Sequence, residues 1–259
     1  MKRKIVIVAA VGVVLLYLAM LFGRDFVYSL FASDVLTYDT EKAYAAEEIN
    51  LLVGDYIVFG SFNAEPIKWR VLNIEEDGTV LIQSDKILCF MAFDEEGSQQ
   101  SHHVTDDTRK LGSSDWNNSS LRAWLNSDEN DGFLSSTNFT DAEERFISEN
   151  GDKVFILSKG EIKKHLDSKE LVKTATKTAI LESQSAYYIL PGSGVWYWLS
   201  SNPGDNNTGV HTVTSAGGFY KSPAFDVTIG VCPAMHLVSS NVLSTLGDGS
   251  SENPYWIGG

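Results

Sequence analysis

The chain has 259 residues, 43% of them hydrophobic and 21% charged, with 21 Gly and 6 Pro, a globular composition that excludes global disorder. Its formal net charge is −14; Lys2, Arg3, Lys4 and Arg24 against Asp25 place +3 on residues 1–25, so residues 26–259 carry −17. A body this acidic repels phosphate backbones, which proteins bind through Lys and Arg, so nucleic acid is not an expected partner.

At the N-terminus, "MKRK" precedes Ile5–Phe22, eighteen residues without a charge. At helical rise they span about 27 Å, close to the hydrocarbon thickness of a bilayer. The basic tip on the upstream side predicts a cytoplasmic N-terminus and a body outside the cell membrane. No small-x-small cleavage site follows directly: Gly23, Arg24 and Asp25 lead into the bulky Phe26, Val27 and Tyr28, and Ala43–Ala45 lies about twenty residues beyond Phe22. Residues 1–25 therefore read as a basic tip and an uncleaved transmembrane signal-anchor, with a cleaved signal and a cytosolic core helix as the alternatives. Residues 26–49, polar and without an apolar face, read as a spacer.

From residue 50 the pattern turns β-rich. Residues 51–62 form an apolar run, residues 67–74 alternate with Ile67, Trp69 and Val71 on one face, and "EEDG" at 75–78 turns the chain into a third strand. Residues 53–89 thus predict an antiparallel meander with Trp69 buried. Residues 94–118 read as a long polar loop. Ser119 or Ser120 then caps a short helix whose Leu121, Trp124 and Leu125 share a face. Thr140 and Glu143 form a capping box for a second helix, with Gly151 as its stop. Residues 152–158 predict a strand, and 158–182 predict two short helices or one broken one. From 194 onward the chain is Gly-rich and β-like, and no period of 20–50 residues repeats. Strands, then helices, then strands predict one α+β domain over residues 50–259 whose first and last segments share a sheet.

The stretches "VWYWLSSNPG" at 195–204 and "IGVCPAMHL" at 229–237 resemble the landmarks of an uncharacterised domain common in exported proteins of Gram-positive bacteria, roughly WWLRSPG and GVRPALWL. The resemblance extends over most of residues 50–240, through residues 54–72, 116–127, 139–147 and 152–162, and the tail at 247–259 resembles an ending of such surface proteins. The family is similar to C-type lectin-like and formylglycine-generating-enzyme-like domains. It implies a C-type-lectin-like α+β fold: antiparallel sheets, short flanking helices and long ligand-facing loops. Ser200 and Cys232 stand where the family pattern has Arg, the residue that pairs carboxylates bidentately. Two readings stay open, a rebuilt internal site or structural positions that changed together.

Few residues suggest chemistry. His102, His103, Asp106 and Asp107 are consecutive in a polar loop, whereas metal ligands come from spaced positions on a rigid frame. Asp205, Asn206 and Asn207 offer oxygens to Ca²⁺, but the sugar-binding motifs of calcium-dependent lectins are out of place: Glu65-Pro66-Ile67 sits too early, and Trp116-Asn117-Asn118 precedes the helices. No metal or cofactor is expected. Cys89 and Cys232 read as buried thiols, with a disulfide left open; an oxidase of the formylglycine-generating type would need both in the C-terminal half. No esterase elbow, zinc-protease helix or phosphate loop occurs.

Within "VWYW", alternation points Trp196 and Trp198 one way and Tyr197 the other. Core packing explains these rings, while the Asn/Gly loop behind them, together with Trp116 and Asn117, predicts a recognition surface with Asn202, Asp205 and Asn206 as polar contacts. The expected function is a membrane-anchored extracytoplasmic module that binds a glycan, a cell-wall fragment or a protein without catalysis. A structural envelope component and a formylglycine-generating-type oxidase are the alternatives.

Overall fold

The computed structural model describes residues 47–95, 112–183, 189–190, 192–200, 209–244 and 246–257. The expected membrane segment and most of the spacer lie outside these residues. Among those described, no helix is long and apolar enough to cross a membrane.

The first strand, β1 (Glu47–Asn50), starts within the expected spacer and pairs with β12 (Asn241–Ser244) in a two-stranded sheet. The expected meander follows as β2 (Tyr56–Phe62), β3 (Glu65–Ile74) and β4 (Val80–Ser84). It forms the centre of a six-stranded sheet flanked by β13 (Tyr255–Trp256) on one side and by β11 (Ala234–Leu237) and β6 (Val154–Phe155) on the other. A five-stranded sheet runs in the order β5 (Cys89–Phe90), β10 (Gly230–Val231), β7 (Tyr197–Trp198), β8 (Gly209–Val213) and β9 (Phe219–Pro223). The first and last parts of the chain share both sheets: β4 pairs with β11, and β5 with β10, each antiparallel.

The chain passes from one sheet to the other at Cys232–Pro233, beside the crossing between Ser84 and Cys89, which runs antiparallel to it. Hydrogen bonds from Ser84 N–H to Pro233 O (2.9 Å) and from Leu88 N–H to Val231 O (3.0 Å) tie the two crossings together. Two core clusters result. One holds Trp69, Phe93, Phe133 and Trp198; the other holds Ile87, Leu157, Tyr197 and Cys232. Trp69 is fully buried, its indole donating to Phe59 O at 2.7 Å.

The α+β, lectin-like fold class is overturned. Strand takes 33% of the described residues and helix only 14%, so the protein is mainly β. The four α-helices described are short: α1 (Ser120–Leu125), α2 (Asp141–Glu144), α3 (Lys159–His165) and α4 (Lys177–Glu182), with one 3-10 turn at Trp116–Asn118. Two caps follow the sequence signals: Ser119 caps α1, and Thr140 with Glu143 forms a capping box on α2. Ser158 with Glu161 forms a further capping box on α3. What the periodicity overstates is length. The second helix ends at Arg145, well before Gly151, because Ile147 is drawn into a bridge with Leu237. The stretch 167–175 is not helical because Lys173 bridges Val195 and Ala175 bridges Ile87. Sheet pairing satisfies backbone groups that a marginal helix of this length leaves exposed.

Candidate functional site

The aromatic block at 195–198 supplies both core and surface. Tyr197 and Trp198 are fully buried, on opposite faces of the five-stranded sheet. Each polar tip is satisfied, Tyr197 Oη donating to Leu171 O at 3.0 Å and Trp198 Nε1 to Met91 O at 2.8 Å, as buried Tyr and Trp require. Burial also drives the Tyr197 phenol far above its ordinary pKa, so it is no proton donor or acceptor near neutrality. Trp196 lies on the Trp198 side but is only partly buried.

There the core runs out at the edge of the sheet. Register pairs Trp198 with Thr212 and Thr212 with Tyr220, so the row ends on the outer strand β9 with Tyr220, which is 60% exposed. The Trp196 and Tyr220 rings meet edge to face, their centroids 5.3 Å apart. They form one wall of an open cleft of about 480 Å³, lined also by Ser193, Gly194, Ser222, Asp226 and Thr228. The volume falls within the range of small-molecule sites. Gly194 is required there, because a side chain would run into the Ser215 carbonyl and Val172.

Two groups lining this cleft lack partners among the described residues. The indole N–H groups of Trp69, Trp116, Trp124 and Trp198 all donate within the protein, whereas that of Trp196 has no acceptor among the described residues. Asp226 Oδ1 accepts from the N–H and the hydroxyl of Thr228, at 2.9 and 2.6 Å. Its Oδ2 is left without a partner among the described residues. The cleft therefore offers one ring-borne donor, one carboxylate acceptor, several hydroxyls and an exposed aromatic face, with Asp226 as the only charged residue among the described ones lining it.

The sequence-derived site is located in part. Trp116 lines a second cleft, of about 240 Å³, with Asp152, Phe155, Glu161, Ser200 and His236. Ser200, the last described residue before 201–208, lines this cleft together with Trp116. Trp116 is nevertheless held as structure: its Nε1 donates to Asp152 at 2.8 Å and its ring packs on Phe93 at 5.9 Å. Asn117 is exposed, and its backbone N–H is capped by Asp115 at 3.1 Å. Asn202, Asp205 and Asn206 lie outside the described residues, as do Asn207, His102, His103, Asp106 and Asp107. Arg122 clamps Asp152 from α1, with Nε–Oδ2 at 2.8 Å and Nη2–Oδ1 at 2.6 Å. Burial opposes ionisation of Asp152, but the bonds from Arg122 and Trp116 outweigh it and hold the carboxyl below its ordinary pKa. Burial lowers the His236 imidazole, despite nearby Glu75, Glu161 and Asp77, and the ring stacks on Phe155 at 5.2 Å.

Tyr220, Asp226 and the free indole edge of Trp196 escaped the sequence reading. Strand alternation places Tyr220 and Ser222 on one face, but nothing local reveals that β9 ends the sheet or that residues 220 and 226 reach Trp196.

The two thiols are free. Val231 pairs with Cys89, so the adjoining Cys232 points to the other face, and the two cysteines pack with different core clusters. Burial pushes the Cys89 thiol up to about 12 and raises Cys232 as well, against the lowering effects of Lys173 and of the Ser84 hydrogen bond. Among the described residues, no group of three or more His, Cys, Asp or Glu side chains is placed to hold a metal ion.

Fold and cleft together define a mainly β protein with an open, hydroxyl-lined aromatic site. Residues 77–239 match the family described as a domain of unknown function, DUF6273, and the chain belongs to that family. The match contains both clefts and begins after β3. No curated protein and no solved structure matches the chain.

Proposed function

We propose that the protein is a recognition module displayed on the outer face of a cell membrane, binding a glycan or cell-wall fragment without catalysis. The Trp196–Tyr220 cleft carries this reading, because exposed ring faces beside hydroxyl and carboxylate groups are what sugar rings need for stacking and hydroxyl pairing. Display outside the cell rests on the basic tip and on the charge-free stretch Ile5–Phe22. A binding role also accords with the thiols. Reactive cysteines are exposed and have depressed pKa values, and a two-thiol oxidase would need them adjacent; Cys89 and Cys232 are raised and lie on opposite faces.

The test is a screen of the full chain against immobilised oligosaccharides, muropeptides and stem peptides. Saturable binding to sugar-bearing probes supports the proposal. Binding confined to peptides or proteins replaces it with an assembly role in the envelope.

A further inference from the structure

We infer that the Trp196–Tyr220 cleft selects neutral pyranose sugars and rejects anionic ones; this rests on the reading of the domain as a glycan binder. Three observations converge. The exposed Tyr220 ring, set edge to face with Trp196, gives an apolar platform of about one sugar ring. Sugars present C–H faces that pack on such rings by apolar burial and dispersion.

Beside the platform stand one donor and one acceptor of fixed position. Trp196 Nε1–H has no acceptor among the described residues, and Trp196 itself is held by the buried Tyr197 and Trp198 that follow it. Asp226 is held by its two bonds to Thr228, which fix Oδ1 and leave Oδ2 free to accept. A hydroxyl is both donor and acceptor, so the hydroxyls of a sugar can satisfy both groups: one accepts from the indole and another donates to the carboxylate. A bond to an ionised acceptor is stronger than a neutral one. Ser193, Ser222 and Thr228 line the same cleft, and an uncharged ring leaves none of these groups facing a like charge.

Charge supplies the discrimination. Asp226 is the only charged side chain among the described residues that line the cleft, and the chain beyond residue 25 is strongly acidic. A uronate, phosphate or lactyl carboxylate entering here meets a carboxylate and no cation among those described residues. Like charges brought together in a partly desolvated site repel. The structure thus assigns the cleft to neutral hexose or N-acetylhexosamine units.

The experiment measures binding of the full chain, in a detergent without a sugar headgroup, to chitotriose, cellotriose and trigalacturonate. At least one neutral trisaccharide should bind at least tenfold more tightly than trigalacturonate. Tyr220→Ala should weaken that binding at least tenfold, and Trp196→Phe, which keeps a ring but removes the N–H, about fivefold, with melting temperatures close to the parent. Asp226→Asn should narrow the gap between neutral and anionic probes, a change that mere loss of structure does not produce. Equal or tighter binding of trigalacturonate overturns the selectivity while leaving glycan recognition intact. Neutral-sugar binding that is indifferent to Tyr220→Ala and Trp196→Phe overturns the assignment to this cleft. If all three sugars and every sugar-bearing probe of the screen fail to bind, the glycan reading falls with it.

Discussion

Ala64 adopts φ = 60° and Asn63 φ = 50° in the two-residue turn between β2 and β3. Such a hairpin turn needs positive φ at both central positions, and an alanine there carries about 1–2 kcal/mol of steric cost. Glycine removes that cost and loses about 0.5–1 kcal/mol through its freer unfolded chain. Ala64→Gly should therefore raise unfolding stability by roughly 0.5–1 kcal/mol, read from denaturant midpoints at unchanged slope. A decrease would show that the turn conformation is wrong. Trp69 sits at the opposite extreme. Its ring is fully buried and its N–H is bonded to Phe59 O, so Trp69→Ala should cost about 3–5 kcal/mol. A loss below about 1 kcal/mol would place that face of β3 in solvent.

At the scale of elements, the joint between α1 and β6 shows how short pieces are held. β6 is a two-residue edge strand, and the Asn126 side chain, just past α1, behaves as its missing neighbour. Asn126 Nδ2 donates to Val154 O at 2.8 Å, and Val154 N–H donates to Asn126 Oδ1 at 3.1 Å. Asn126→Ala leaves both backbone groups of Val154 unpaired and should cost about 1–3 kcal/mol. The Arg122–Asp152 clamp fixes the same joint. Because the folded pKa of Asp152 lies below its unfolded value, the clamp contributes stability above the unfolded pKa near 4, and that contribution is lost as pH falls through the folded value. Urea unfolding between pH 7 and pH 2 should show Asp152→Asn less stable at pH 7 and less sensitive to acid. Asp77, Asp167 and Asp248, lowered by backbone N–H bonds, supply the slope that remains. An acid dependence identical to the parent's would show that the clamp is not formed in solution. Local signals made part of this legible in the sequence: the caps at Ser119 and Thr140, the meander and the burial of Trp69 follow from spacing, whereas the capping box of Ser158 and Glu161 was not read from it. Helix length does not follow from it, because Ile147 and Ala175 are claimed by bridge partners 90 and 88 residues away, Leu237 and Ile87, and Lys173 by Val195, 22 residues on. Periodicity within a window carries no information about such partners.

For the whole molecule, the pairing of β4 with β11 and β5 with β10 makes the two ends of the domain one structure, and the cleft stands on the five-stranded sheet, between β7, which lies inside it, and β9, its outer strand. Outside the domain, the charge-free stretch Ile5–Phe22 carries the expectation of display. Protease added to intact, wall-stripped cells should digest the residues after 46, and a salt wash should not release them. Protection in intact cells would put the domain on the other side of the membrane. Of the site expected from the sequence, Asn202, Asp205 and Asn206 lie outside the described residues; the indole of Trp116 is engaged by Asp152, while that of Trp196 has no acceptor among the described residues. Only tertiary packing decides which ring of an aromatic block keeps an open edge.

The six tryptophans provide the most direct test of recognition at that edge. In a spectrum of the ¹⁵N-labelled full chain, with the Trp196 signal assigned by its loss in Trp196→Phe, the indole N–H resonances report each ring separately. Titration with the neutral trisaccharide that binds should shift the Trp196 indole resonance, while those of Trp69 and Trp198, buried and bonded to Phe59 and Met91, stay in place. A shift at Trp116 with Trp196 unmoved would transfer recognition to the smaller cleft and contradict the account.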